Sequence, residues 1–390
     1  MINHRSRLRH YIENAGTQNV ALLRERLVWY YGLGFEYDPP FAYFLDDEEL
    51  KICAQWFRDT TDNPLIGDSG TVATSMIATL IMTNGISQAV QLGHYAGLGS
   101  LIMGFLLKKV SPDARLVSFD IDARMNDYCI ELMERAGLSE VVRHVCIDST
   151  DPMTAEIAGL HLKGPPGLVF IDASKQYRNT IAEVSMWSRY VHGYVVAHDV
   201  SVVAKGDQAN GALGVSDGLI ASKAFKDHEL LILDPQFEKV DGFPYLDPCG
   251  LGLGIARGTE KLPRPNATIE GLLERRRILE PAKLDDAEHW FFEGGFSFQP
   301  GKLTKELGGG AWATCFAPIA PGQKLTCEVD VSGHENCDVM MCAGGHPGTS
   351  VQFRGPGKHV GDFVVGSENS RIGIYGSADS AFVINRVRVF

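Results

Sequence analysis

Asp172, Lys175, His198 and Asp199 are the residues of this chain whose types and placement best suit acid–base or metal chemistry. Asp172 closes the apolar run Gly167-Leu-Val-Phe-Ile-Asp172, and His198-Asp199 close Gly193-Tyr-Val-Val-Ala-His-Asp199. Carboxylates offer oxygen atoms, the kind of ligand that a hard divalent ion such as magnesium or calcium takes. A histidine there is a poor magnesium ligand, but a good base or a ligand for a softer metal. Lys175 could act as a base only if burial or a second cation lowered its pKa. The plainer alternative is that both acids order loops and cap helices, and that Lys175 is a solvated residue opening the next helix.

Upstream, Ala89-Val-Gln-Leu-Gly-His-Tyr-Ala-Gly-Leu-Gly-Ser100 has a different use. Val90–Leu92 reads as a buried strand, Gly93, Gly97 and Gly99 as a tight loop that lets backbone approach a ligand, and Leu101–Lys108 as a helix. The next apolar run, Arg115-Leu-Val-Ser-Phe-Asp120, ends in a carboxylate placed to accept hydrogen bonds from both hydroxyls of a ribose.

The elements that must position these residues follow from periodicity. Residues 1–85 have helix-period apolar positions around Asn19–Tyr31, Asp46–Phe57 and Thr71–Thr83, broken by Pro39-Pro40 and Asn63-Pro64. From residue 88 the pattern predicts strands at 88–92, 115–119, 142–147, 167–171 and 193–197, alternating with helices at 97–109, 124–136, 151–159 and 176–190. Such alternation implies a parallel sheet covered on both faces. A helix over 215–226 and two apolar runs, 229–233 and 250–256, predict an antiparallel edge hairpin. Residues 259–287, with Pro263, Pro265, Pro281 and Arg275-Arg-Arg277, read as a linker. Beyond it, short alternating runs such as Lys324–Val331, Asp338–Cys342, Ser370–Tyr375 and Ala381–Phe390 predict an all-β unit over 288–390, a sandwich or jelly roll.

Composition narrows the classes. At 390 residues, with 45% hydrophobic and 22% charged residues, the chain has an ordinary globular balance and room for two domains. Its formal charge of −12 disfavours nucleic acid or an anionic membrane as the main partner. No apolar run approaches the roughly 20 residues of a membrane span, and no apolar segment follows the basic N-terminal residues as in a signal peptide. Eight cysteines without framework spacing fit reduced thiols in a cytoplasmic protein.

Three blocks taken together, QAVQLGHYAGLGS, ARLVSFDID and GLVFIDASKQY with YVVAHDVS downstream, resemble class I S-adenosylmethionine-dependent methyltransferases. The nearest likeness is to the catechol O-methyltransferase type and its sugar- and natural-product-modifying relatives. The resemblance covers residues 68–256, about half the chain. It implies a Rossmann-like methyltransferase sheet with a reversed last strand, preceded by a helical cap over 1–85, with the cofactor-binding domain at 86–258. It also implies that Gly93, Tyr95 and Gly97 hold the methionine part of the cofactor, Asp120 its ribose, and Asp148 and Ser149 its adenine, with Gly99 also among the cofactor-binding residues. Asp172 would line the cofactor site. Gln91 stands where the family often has an acid; its amide could still bond the cofactor's amino group, without charge assistance. The metal-dependent relatives imply a magnesium or other divalent cation on Asp172, His198 and Asp199, with the departure that His198 and Val200 flank Asp199 where oxygen ligands are usual. They also imply Lys175 as general base, with His198 as the equal candidate.

The expected function is thus O-methylation of a hydroxyl on a sugar, glycan or natural product, with glycan binding or homo-oligomerisation as roles for the β unit. N-methylation, a noncatalytic cofactor-binding scaffold, and a NAD-dependent or nucleotide-sugar enzyme are the competing expectations. The methyl acceptor's walls could come from Trp29, Tyr30, Tyr31, Phe41, Tyr43 and Phe44, although such a cluster is more often core. Three further features read as decoys: Gly250-Leu-Gly-Leu-Gly254 as a buried edge strand, His334/Cys337/Cys342/His346 without ligand-knuckle spacing, and the sequon at Asn266.

Overall fold

The structure is a computed structural model that describes residues 6–23, 38–63, 69–175, 177–201, 214–233 and 249–277. In the remainder it describes 290–292, 296–299, 302–305, 311–316, 324–333, 337–343, 350–364, 371–376 and 381–389. The chain divides into two compact units, 1–266 and 267–390.

In the first unit, a helix α1 (Arg7–Asn14) and a 3-10 turn (Pro40–Phe44) precede α2 (Asp47–Asp62) and α3 (Thr71–Asn84). The sequence pattern missed α1, because only Leu8 and Ile12 of its polar turns are buried. It is held instead by its cap, with the Ser6 hydroxyl accepting from Arg9 N, and by the Arg7–Asp38 ion pair at 3.2 Å. The start of α2 is fixed by a capping box in which Asp46 and Glu49 each accept from the other's backbone N–H. The expected Asn19–Tyr31 helix is described only to residue 23, so Trp29, Tyr30 and Tyr31 lie outside the described residues. Of the other aromatic candidates, Phe41 is buried and Tyr43 exposed.

Next come β1 (Gln88–Leu92), α4 (Leu98–Val110), β2 (Arg115–Asp120), α5 (Ala123–Arg135), β3 (Val142–Cys146), α6 (Met153–His161), β4 (Leu168–Ile171), α7 (Tyr177–Trp187) and β5 (His192–His198). The helix α8 (Val215–Ala221) and strands β6 (Leu230–Leu233) and β7 (Leu251–Arg257) complete the sheet. Its order is β3-β2-β1-β4-β5-β7-β6. Pairs among the first five strands are parallel, while β7 runs antiparallel to both β5 and β6. The Rossmann-like sheet with a reversed last strand is therefore present. The β6–β7 pairing is antiparallel as expected, but β7 lies inside the sheet and only β6 forms the edge. Gly250–Gly254 accordingly forms an interior strand: a side chain at Gly252 would meet Leu219, and one at Gly254 would meet Phe225. Helix α8 is shorter than expected, ending before Lys223, whose backbone is left-handed (φ 53°).

The N-terminal helices and the sheet share one core. Leu8, Phe41, Trp56, Phe57 and Ile77 are buried in the same cluster as Leu101, Phe105, Leu116 and Phe170. The first residues of the expected linker also pack in this unit, with Glu260 N donating to Arg189 O at 3.0 Å and the Pro263 carbonyl against Gly159.

Among the described residues, the second unit has one helix, α9 (Ile269–Arg277), and strands β8 (Trp290–Phe292), β9 (Phe296–Gln299), β10 (Lys302–Lys305), β11 (Ala311–Phe316), β12 (Lys324–Gly333), β13 (Asp338–Ala343), β14 (Ser350–Arg354), β15 (Gly357–Val364), β16 (Arg371–Gly376) and β17 (Phe382–Val389). They form two five-stranded antiparallel sheets, β15-β12-β17-β10-β9 and β14-β13-β16-β11-β8. Alternation does what period 2 requires: Cys327, Val329 and Val331 on β12, and Val339 and Met341 on β13, are buried. His334 and His346 lie outside the described residues, so the fourfold His/Cys set is not assembled among those described.

Candidate active site

The C-terminal ends of β1, β2, β4 and β5 carry the candidate residues, on the edge where ligands bind in open α/β sheets. After β1 the chain turns at Gly93 (φ 85°), crosses Tyr95 (φ 41°) and enters α4 from Gly97 (φ 86°). A side chain at Gly93 would overlap the Asp172 carbonyl, and one at Gly97 would lie 2.7 Å from Cys129 Sγ. A side chain at Gly99 would meet the Gln91 amide. The three glycines are thus required by close packing of the loop on its own protein.

Asp120 organises that loop. Its Oδ2 accepts from His94 N at 2.9 Å and Tyr95 N at 2.8 Å, and its Oδ1 from Asp122 N at 3.0 Å. A carboxylate offers about four lone-pair sites, so roughly one remains for a ligand hydroxyl; the sequence expectation was two. Gln91 is likewise engaged internally. Its Nε2 donates to Gly93 O at 3.0 Å, and its Oε1 accepts from Ser100 Oγ at 2.7 Å. It braces the turn. Helix α4 has no side-chain N-cap, so its first N–H groups point out of the helix start without an intrahelical partner, a setting that favours a carboxylate.

At the tip of β3, Asp148 Oδ1 accepts from Thr150 N at 2.9 Å and Thr150 Oγ1 at 2.6 Å. The Ser149 hydroxyl donates to Glu183 on α7 in a short, buried hydrogen bond. Glu183, fully buried, was not singled out in the sequence, since a single acid on a helix carries no motif.

The third cluster joins β4 to β5. Asp172 Oδ1 accepts from His198 Nδ1 at 3.2 Å, while its Oδ2 accepts from Ser69 Oγ at 2.6 Å. Because an ionised carboxylate only accepts, Nδ1 carries the proton and Nε2 of a neutral ring carries the lone pair. Lys175 Nζ pairs with Asp199 Oδ2 at 3.1 Å. Burial works against the Lys175 ammonium, but the Asp199 carboxylate outweighs it and holds the pKa above the ordinary lysine value. Asp199 has a left-handed backbone (φ 61°), a sparsely populated conformation that clusters at functional sites.

A hard-ion cage is not what these residues make. Asp172 is committed to Ser69 and His198, and the groups nearest Asp199 are an imidazole, an ammonium and the Cys249 thiol. Magnesium, which demands oxygen ligands in near-octahedral array, does not fit this set.

Several supporting residues were invisible in the sequence. Trp56 Nε1 on α2 donates to Ala96 O at 2.6 Å, fixing the glycine loop from outside. Under the loop, the rings of His94 and His144 meet edge to face at 4.5 Å. His94 Nδ1 bonds Ser118 Oγ, whereas His94 Nε2 and both nitrogens of His144 are buried without a hydrogen-bond partner. Burial lowers the His94 pKa to about 3 and depresses that of His144 well below the usual imidazole value.

Residues 90–200, from within β1 to just beyond β5, match the family model described as "Methyltransferase domain". This stretch, which supplies β1 to β5 of the 3-2-1-4-5-7-6 sheet, is a methyltransferase domain of class I, the class dependent on S-adenosylmethionine. No curated protein matches the chain. Among solved structures, the O-methyltransferase TomG of Streptomyces achromogenes, involved in tomaymycin synthesis and in complex with S-adenosylmethionine, is 18% identical. That match covers 56% of this chain and 94% of TomG, with a TM-score of 0.41. An O-methyltransferase of Bacillus cereus in complex with S-adenosylhomocysteine is 17% identical over 53% of this chain and 90% of its own, with a TM-score of 0.40. A Podospora anserina methyltransferase, also bound to S-adenosylhomocysteine, is 15% identical over 56% and 93%, with a TM-score of 0.37. At these values the likeness carries no argument about the acceptor.

Among the described residues, no helix is long and apolar enough to cross a membrane.

Proposed function

We propose that the chain transfers a methyl group from S-adenosylmethionine to a hydroxyl of a small molecule, a sugar, glycan or other natural product. The observation that carries this reading is the sharing of one sheet edge by the Asp120-anchored glycine loop and the Asp172–His198 pair. The loop, with the uncapped start of α4, would hold the methionine carboxylate; Asp120 would take a ribose hydroxyl, and the Asp148–Ser149 turn would border the adenine. Bound there, the sulfonium supplies an already activated methyl group. The protein must then align acceptor oxygen, methyl carbon and sulfur, and accept the hydroxyl proton.

Two groups are candidates to take that proton. Lys175, held protonated by Asp199, serves as a cation beside the acceptor oxygen. His198, oriented by Asp172 with a lone pair on Nε2, is the base. As the acceptor oxygen takes up the methyl group, its hydroxyl proton would pass to His198 Nε2. In the second unit, the two antiparallel sheets support a sandwich: a side chain at Gly361 on β15 would meet Val351 and Phe353 on β14 of the other sheet. That unit would bind glycan or a second copy of the chain.

The test is a panel of hydroxylated small molecules, with amine counterparts, incubated with protein and S-adenosylmethionine and read by mass spectrometry. A methyl gain on hydroxyl compounds, lost in His198→Ala, supports the reading; gains confined to amines contradict it.

A further inference from the structure

The strand ends of β5 and β7 bring together three ligand atoms of different chemistry. One imidazole nitrogen of His198, one carboxylate oxygen of Asp199 and Sγ of Cys249 all lie within 4.8 Å of one another. Pairing of His198 with Leu251, and the bond from Ser201 N to Cys249 O at 2.8 Å, fix Cys249 beside the exit of β5. Successive strand residues ordinarily point to opposite faces. The left-handed backbone of Asp199 breaks that alternation and brings its Oδ1 to 3.6 Å from His198 Nδ1.

A second observation points to a ligand. Asp199 is about nine-tenths buried, and its Oδ1 accepts no hydrogen bond, although its Oδ2 is paired with Lys175. An unsatisfied buried carboxylate oxygen costs stability unless something binds it. Nitrogen, sulfur and one oxygen are the donors of zinc and its neighbours, not of magnesium or calcium. The Asp172 carboxylate behind His198 Nδ1 supplies the outer hydrogen bond that metal-bound imidazoles usually have. With three protein ligands, a tetrahedral ion keeps one open position.

We propose that His198, Asp199 and Cys249 form a binding site for one borderline-soft divalent cation of the zinc class, and that its occupancy inhibits methyl transfer. The inhibitory half rests on the functional reading above: an imidazole whose lone pair is given to a metal cannot take the acceptor proton. The ion also brings positive charge next to Lys175, whose own partner is Asp199. This distinguishes the site from a hard-ion centre, where the metal would activate.

Cobalt(II) added to the metal-stripped full chain is the direct probe, because a thiolate ligand gives an intense near-ultraviolet charge-transfer band. The band should saturate at one equivalent, yield to zinc and resist excess magnesium. It should vanish in Cys249→Ser, weaken about tenfold or more in Asp199→Asn, and weaken about 10–100-fold in Asp172→Ala, which removes the outer hydrogen bond together with the contact to Ser69. Circular dichroism and S-adenosylhomocysteine titration on the same samples show that the variants are folded and separate this proposal from the functional one. Absence of the band, its survival in folded Cys249→Ser, or displacement by magnesium overturns the site. With an acceptor found by the mass screen, turnover should fall as zinc fills the site and rise on chelation; loss of turnover on chelation overturns the inhibitory role.

Discussion

His198 and Asp172 are joined by a 3.2 Å hydrogen bond that links the ends of two neighbouring parallel strands, and Ser69 closes the other side of the same carboxylate at 2.6 Å. The carboxylate thereby fixes both the orientation and the tautomer of the imidazole. His198→Ala should lower turnover by roughly 10²–10⁴-fold, the span of a positioned base, with S-adenosylhomocysteine affinity unchanged. Asp172→Asn should lower turnover without abolishing it. Steady-state kinetics beside calorimetry check this; a parallel loss of cofactor binding in His198→Ala would mean that the histidine belongs to the cofactor site.

Lys175 acts as a charge. Its pKa is raised above the ordinary lysine value, so it stays protonated through neutral pH, and its pairing with Asp199 weakens only as pH rises through that elevated value. Lys175→Arg should therefore retain most activity and Lys175→Met lose it. If Arg and Met variants are equally inactive, Lys175 is needed as a base rather than as a cation.

The buried imidazole pair beneath the glycine loop makes the fold acid-sensitive. Both folded-state pKa values lie below the unfolded one, His94 at about 3, so the unfolded chain binds protons that the folded chain refuses. Stability is fully present above the unfolded histidine pKa and is lost as pH falls below it, by up to about 1.4 kcal/mol per pH unit for each group. Urea unfolding at pH 7 and pH 5 should show this loss, and His144→Leu should reduce it. An unchanged pH dependence in that variant would show that the pair is hydrated rather than dry.

Residues 1–266 should fold alone. They contain the whole seven-stranded sheet and the core shared with α1–α3. A soluble truncated chain with the full chain's affinity for S-adenosylhomocysteine is expected; aggregation would mean that the β unit completes its packing.

Much of this was legible in the sequence, because parallel strands buried on both faces read as unbroken apolar runs. The pattern at 88–92 coincides with β1 and that at 167–171 starts one residue before β4, and all residues of both strands are buried. The residues at the strand tips were legible for the same reason, since a charge ending such a run has nowhere else to lie. The partners that orient them were not. Ser69 reaches Asp172, Trp56 reaches Ala96 and Cys249 reaches Asp199 from distant parts of the chain, and no local spacing encodes those meetings. Nor could the sequence reveal that Asp120 spends three hydrogen bonds on its own loop.

Calorimetric titration of S-adenosylhomocysteine into the full chain and into Asp120→Ala tests the central claim most directly. The account predicts one site per chain in the wild-type protein, weakened in the folded variant by about 1.5–3 kcal/mol, the scale for losing a charged hydrogen-bond partner. Failure of the wild-type chain to bind S-adenosylhomocysteine, with binding of a nicotinamide dinucleotide or nucleotide sugar in its place, would contradict it.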